Sequence, residues 1–318
     1  MQKTGLGVFF LIYSIYSIGN EPSFSILYLN SYHKGYQWTD RCFTAFKKSL
    51  KTPTNIHTYF LDSKRQQDNN HIEKVTKEAM DFIERNNPDL IVAAEDNASK
   101  YIIQPFFKNH TTPILFLGVN VDASIYNYPY TNATGIIEMD GIGSLISALK
   151  TIVGPKSIGM IFSQTNTSNK VLNFFKKQNL KYVSFKQVDN AQEWYQSMNK
   201  FNADMDFIAL DTITGIKDLN HEDALDYIIN NIHTPILTAS STSRELAHIG
   251  YINLPEEHGI WVANRADEIL QGADISSIPI RVSSQYLMFI NYDLVKKMHL
   301  DINRRIYQLP HTDLKNVR

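Results

Sequence analysis

One pattern constrains this chain more than any other. Short apolar runs alternate with longer amphipathic stretches, and the series occurs twice. In the first block, strand-like runs cover Phe24–Leu29, Ile56–Phe60, Asp89–Ala94 and Ile114–Gly118. Helical spacing marks Asp40–Leu50, Asn70–Arg85 and Ala98–Lys108 between them. In the second block, strands fit Ser157–Phe162, Tyr182–Phe185, Phe207–Leu210 and Ile236–Thr238. Helices fit near Gly141–Ile152, Ser168–Gln178, Ala191–Asn199 and Glu222–Asn231. Runs such as Leu90–Ala94 and Ile114–Leu117 are apolar without interruption, as parallel strands covered on both faces must be. Pro88 and Pro113 each stand just before such a run, where proline punctuates well. Two consecutive blocks of about 100 residues predict an α/β chain with two doubly wound parallel-sheet lobes.

The tail has too few elements for a third domain. It offers strands at Gly250–Leu254, Ile278–Val282 and Tyr286–Asn291, a helix over Pro255–Gln271, and a last helix from Tyr292. These are expected to return to the two lobes, so the chain crosses between them more than once. The expected division gives residues 21–118 plus about 242–280 to the first lobe, and 119–241 plus about 281–318 to the second. The join near Val119–Tyr130 has no Gly/Ser tract and reads as part of a multi-strand hinge.

Bulk properties exclude some functions. The chain has 318 residues, 43% hydrophobic and 20% charged, with a net charge of −1. That balance does not suit nucleic acid. At the N-terminus, Lys3 precedes an uncharged run, Leu6–Ile18, of about 13 residues, short for a bilayer span and suited to a signal-peptide core. Cleavage is expected near Gly19–Asn20, leaving residues 1–20 as signal and the rest exported to the periplasm. Cys42 is the only cysteine, so no internal disulfide is available; on a helix it reads as a small buried hydrophobe.

In open α/β sheets, ligands sit beyond the carboxyl ends of the strands. The first strand is followed by Asn30, Ser31, Tyr32, Tyr36 and Trp38, the third by Glu95, Asp96 and Asn97, and the fourth by Asn120. In the second block the followers are Thr165, then Asp211 and Thr212, then Ser240. These thirteen residues are the candidate ligand-binding set. For the polar ones, capping a helix N-terminus is the alternative role, also open to Thr39 and Ser168. For Tyr36 and Trp38 the alternative is local packing that anchors the loop. The pair Glu95–Asp96 invites an acid/base reading, but adjacent residues rarely point the same way. No nucleophile elbow, phosphate loop or dinucleotide fingerprint is present. The ten histidines show no metal-ligand spacing. No catalytic residue, metal or cofactor is expected, and the chain does not read as an enzyme.

Several stretches together resemble one family. They are Leu29-Asn-Ser-Tyr-His-Lys-Gly-Tyr-Gln-Trp-Thr-Asp40, Pro88–Ala98, Phe116–Asn120, Thr134–Glu138, Leu254–Gly259, Ile269–Gly272 and Ile278–Ile280. On them the chain resembles the ABC-transporter substrate-binding proteins of the type I periplasmic binding-protein fold, over nearly all of residues 24–300. It departs from their pattern at Glu95, where a small residue or Asp is expected, and at His299–Asn303. The resemblance implies two lobes joined by three crossing strands, with ligand trapped between them by hinge closure. It implies capture of a small polar or aromatic solute, such as an amino acid or sugar, for an ABC permease. The alternative partner is a membrane sensor or receptor. In this reading Asn30 and Ser31 hydrogen-bond the ligand, and Tyr32, Tyr36 or Trp38 stack on it. Glu95, Asp96 and Asp211 suit an amine or hydroxyl-rich group; helix N-termini and the Asn/Ser/Thr loops suit a carboxylate equally.

Overall fold

A computed structural model describes residues 24–66, 68–139 and 141–316. The expected signal segment and its cleavage point lie outside the described residues.

The first half forms β1 (Phe24–Asn30), α1 (Gln37–Ser49), β2 (Thr54–Phe60), α2 (Asn69–Asn86), β3 (Leu90–Ala94), α3 (Glu95–Ala98), β4 (Ile114–Asn120) and β5 (Ala133–Glu138). Then follow α4 (Gly141–Ile152), β6 (Ile158–Ser163), α5 (Asn166–Lys177), β7 (Val183–Val188), α6 (Ala191–Asp204), β8 (Phe207–Leu210), α7 (His221–Asn231), β9 (Ile236–Thr238) and β10 (Ile249–Asn253). The tail forms α8 (Pro255–Leu270), β11 (Arg281–Val282), β12 (Tyr286–Ile290), α9 (Tyr292–Lys297) and β13 (Thr312–Asp313).

Two sheets result. One has the order β11-β5-β4-β3-β1-β2, with every pair parallel. The other has the order β13-β12-β10-β9-β8-β6-β7, parallel except where β12 meets β10. Every residue of β3 is buried, and so is every residue of β6, because helices cover both faces. On one face of the first sheet, α1 buries Cys42, Ala45 and Phe46. There it meets α8 so closely that a Cβ on Gly259 would fall 2.1 Å from the Cys42 carbonyl oxygen. Cys42 is a buried free thiol, as its place on the helix suggested.

The chain crosses between sheets later than the expected boundaries. Ala133–Glu138, assigned by sequence to the second lobe, pairs with β4 and extends the first sheet. No α-helix separates β4 from β5, only a single 3-10 turn over Ala123–Tyr126, so the βα alternation that located the other strands gave no signal. The crossings fall between β5 and α4, near Leu254, and between β11 and β12. Residues 242–253, assigned to the first lobe, therefore carry β10 of the second sheet, while β11, assigned to the second lobe, joins the first. Side chains stitch these crossings together. Asn253 Nδ2 donates to Glu138 Oε1 (3.2 Å) and to the Met139 carbonyl (2.9 Å). Ser283 Oγ accepts from the Met139 N–H (3.0 Å), and the buried Glu257 carboxylate accepts from the backbone of Ser284 and Gln285 (3.0 and 2.8 Å). The expected helix Ala98–Lys108 instead starts at Glu95 and widens into π-helical turns over Ser99–Phe107. Pro105, which has no N–H to donate, sits inside that widened segment.

Candidate ligand-binding cleft

The carboxyl ends of the strands of both sheets carry the candidate residues, and the two sets differ in chemistry. On the first lobe, Ser31 works for the protein. Its hydroxyl donates to the Ala94 carbonyl (2.6 Å) and accepts from the Ala98 N–H (2.7 Å), tying β1 to α3. Asn30 Nδ2 donates to the Tyr59 and Tyr28 carbonyls (3.2 and 3.3 Å). Asn97 Nδ2 donates to Ser63 Oγ (2.9 Å), whose own hydroxyl donates to the Ser31 carbonyl (2.6 Å). These three candidates shape the rim through bonds within the protein.

Glu95 is the most unusual residue here. It is 4% exposed and stands at φ 73°, a left-handed conformation that costs a side-chain-bearing residue about 1–2 kcal/mol. Thr39 Oγ1 donates to its carboxylate (3.0 Å). Thr39 thus lies inside α1 as a partner of Glu95 rather than as a cap; Tyr36 holds the cap position. Burial, reinforced by the nearby Glu138 carboxylate, pushes the Glu95 carboxyl well above the ordinary carboxylate range. Glu138 and Lys64 face the same cluster. Lys64 Nζ sits 4.8 Å from the Tyr32 ring centre and 4.1 Å from that of Tyr36, and donates to the Tyr36 hydroxyl (2.7 Å). Tyr32 and Tyr36 meet edge to face at 4.9 Å. Sequence reasoning passed over Glu138 because β5 was not recognised, and Lys64 because it lies beyond β2, whose loop showed no distinctive residue.

Trp38 has one face in the fold and one on open space. Its ring packs on the buried His258 (5.1 Å) and leans over Gly118, where an added Cβ would fall 2.8 Å from its Cη2. Gly118 stands at φ 68° beside a register shift in the β4–β5 ladder, a bulge that favours glycine. The indole N–H of Trp38 is buried without an acceptor among the described residues. Such an orphan donor costs about 1–3 kcal/mol.

On the second lobe the rim is built from small hydroxyls. Thr165 caps α5 by accepting from the Ser168 N–H (3.2 Å). The hydroxyls of Ser163 and Thr165 lie 2.8 and 2.9 Å from that of Ser168, which donates to Asp211. Burial raises the Asp211 carboxyl to about 6, against partial relief from Ser168 and the Thr212 N–H. Thr212 and Ser240 each meet Thr242 Oγ1 at 2.8 Å.

One ion pair joins the rims. Lys170 Nζ from α5 reaches Asp96 Oδ1 across the cleft at 3.0 Å. Asp96 also accepts from Asn120 Nδ2 (2.7 Å) and the Tyr126 hydroxyl (2.9 Å), to which Lys170 donates as well (3.0 Å). The structure therefore joins Asp96 and Asn120 in one network. Lys170 and Tyr126 were not among the candidates, since neither follows a strand directly. Beside this closed centre lies a chamber of about 590 Å³, bounded by Trp38, Arg41 and Pro255 on one lobe and Ser241, Arg244 and Ile252 on the other. Among the thirteen candidates, Trp38 alone lines it. Among the described residues, no group of three or more His, Cys, Asp and Glu side chains could hold a metal ion, and no helix is long and apolar enough to cross a membrane.

Comparison with known proteins decides the family. The family model described as ABC transporter substrate binding protein matches residues 45–313. The chain belongs to this family. The match begins after the Leu29–Asp40 loop, so that part of the resemblance stands on its own residues. As a substrate-binding protein, the chain is similar in fold to several solved structures. One is a ligand-free, open substrate binding protein with adhesive properties from Clostridium difficile, with a TM-score of 0.67, 18% identity, and coverage of 88% of this chain and 96% of that one. Another is an ABC domain in complex with L-Trp from Streptococcus pneumonia, with a TM-score of 0.61, 15% identity, and coverage of 91% and 99%. A third is an ABC transporter solute binding protein from Bacillus halodurans with bound myo-inositol, with a TM-score of 0.53, 12% identity, and coverage of 88% and 99%. At these identities the likeness shows the type I periplasmic binding-protein fold alone. No curated protein matches the sequence.

Proposed function

We propose that this substrate-binding protein works outside the cytoplasmic membrane, captures a small polar or aromatic solute between its lobes, and delivers it to an ABC permease. One observation carries the reading. The first lobe presents carboxylates and aromatic rings around Lys64, the second presents hydroxyls around Asp211, and Lys170 of the second bridges to Asp96 of the first at 3.0 Å. A solute bonded to both rims stabilises the closed arrangement over the open one, and that difference in affinity drives closure. The neighbours leave the solute class open, since one holds an amino acid and another a cyclitol. In this chain, Tyr32, Tyr36 and Trp38 supply flat apolar faces, and the Glu95–Glu138 pair supplies acceptors.

A thermal-melting screen against amino acids, sugars, nucleobases and small organic acids tests the reading. A ligand held only by the native state at 100 times its Kd adds about 2.7 kcal/mol to stability. One solute class is expected to raise the melting temperature in a concentration-dependent way, and the rise is expected to vanish in Trp38→Ala. No shift with any class, in a protein that melts cooperatively, contradicts solute capture. For delivery, deleting the chain is expected to abolish cellular uptake of the solute identified, and re-expression to restore it.

A further inference from the structure

We infer that the chamber beside the cleft holds a carboxylate-bearing molecule with an apolar body, and that Arg244 is the residue that recognises the anion. This deepens the proposed function and rests on it.

The chamber has the right size. At about 590 Å³ it falls within the roughly 300–1,000 Å³ typical of small-molecule pockets. It also has the right position, because its walls come from both lobes and an occupant touches both at once. Its charge is uneven. Arg41, Lys48 and Arg244 line it against two carboxylates, Asp40 and Glu256. Arg41 is committed to Glu256 by two parallel bonds of 2.8 and 3.0 Å. Arg244 is different. It is partly buried, yet its guanidinium makes no hydrogen bond or ion pair among the described residues. The adjacent acid, Glu245, turns instead to His221 at 3.6 Å. Lys48 is exposed and lies near the far end of α1.

The Arg244 guanidinium is thus uncommitted to the protein, and its planar fork matches a carboxylate in a bidentate pair. The rest of the lining suits an apolar body. Trp38 offers a ring face, and Ile252, Pro255 and the exposed Ile260 surround the same space. A neutral polyol can accept a hydrogen bond from Arg244 but does not neutralise its charge.

Calorimetric titration with 3-phenylpropionate and its neutral isostere 3-phenylpropionamide tests this, in the full chain and in Arg244→Gln. The acid is expected to bind the unaltered protein at least about tenfold more tightly than the amide, the scale of one charge-assisted hydrogen bond. Arg244→Gln is expected to remove that gap while its melting transition stays cooperative, and Arg244→Lys to keep part of it. Equal affinity for acid and amide, a gap that survives Arg244→Gln, or failure of both probes to bind at millimolar concentration overturns the inference. A neutral solute from the melting screen that binds independently of Arg244 leaves the proposed function standing and defeats only the anion reading. If no solute of any class binds, both fall.

Discussion

The two rims of the cleft solve the same problem with opposite chemistry. The first lobe buries Glu95, sets it at φ 73° and surrounds it with Thr39, Lys64, Tyr32 and Tyr36. The second lobe keeps its backbone regular at Thr165 and Asp211 and gathers short hydroxyls around one half-buried acid. One rim is aromatic and rich in carboxylates; the other is built from short hydroxyls and flanked by Lys170 and Arg244. The difference teaches that neither lobe alone makes a balanced site. Charge balance comes from putting them together, as the Asp96–Lys170 pair does at 3.0 Å.

Four substitutions probe that contrast. The largest effect is expected from Gly118→Ala, which breaks the aromatic rim. It adds a Cβ at φ 68° and 2.8 Å from Trp38 Cη2, so about 2–4 kcal/mol of stability should be lost in denaturant titration. Next comes Lys170→Met. It leaves the buried Asp96 carboxylate with only Asn120 and Tyr126 as donors, at a cost of about 1–3 kcal/mol to the closed form. Small-angle scattering of the ligand-free protein should show a larger radius of gyration, and an unchanged one would mean that the lobes do not depend on this pair.

Asp211→Asn has the opposite sign. The folded-state value of about 6 lies above the ordinary 3.8. The folded protein therefore holds this proton more tightly than the unfolded chain. Its favourable contribution is complete below about 3.8 and is lost as pH rises through about 6. At pH 7 the amide should stabilise the protein by roughly 1–3 kcal/mol, and it should flatten the decline between those two values in melting curves. The smallest effect belongs to Tyr36→Phe. It removes the bond from Lys64 but keeps the ring, for a loss of about 0.5–1 kcal/mol.

Much of the fold was legible because parallel strands buried on both faces write themselves as apolar runs. Leu90–Ala94 and Ile114–Leu117 are examples, and the first is followed by a variant of the expected helix. Ala133–Glu138 was missed because no α-helix precedes it, and that one omission moved the first lobe boundary by about 20 residues. Strand-end position identified Glu95, Asp96, Asn120 and Asp211 as residues of the rims. It could not show that Asn30, Ser31 and Asn97 bond within the protein, since a capping residue and a ligand-contacting residue look alike in sequence. Nor could it find Lys170, Lys64 or Arg244. Each is an ordinary basic residue whose role comes from what the fold places opposite it.

Hydrogen exchange measured by mass spectrometry, with and without the solute found by melting, tests capture between the lobes most directly. Ligand should slow exchange on both rims together: around Asn30–Trp38 and Glu95–Ala98 on the first lobe, and around Ser163–Ser168, Asp211–Thr214 and Ser240–Arg244 on the second. Protection confined to one lobe, or lying away from both rims, would contradict it.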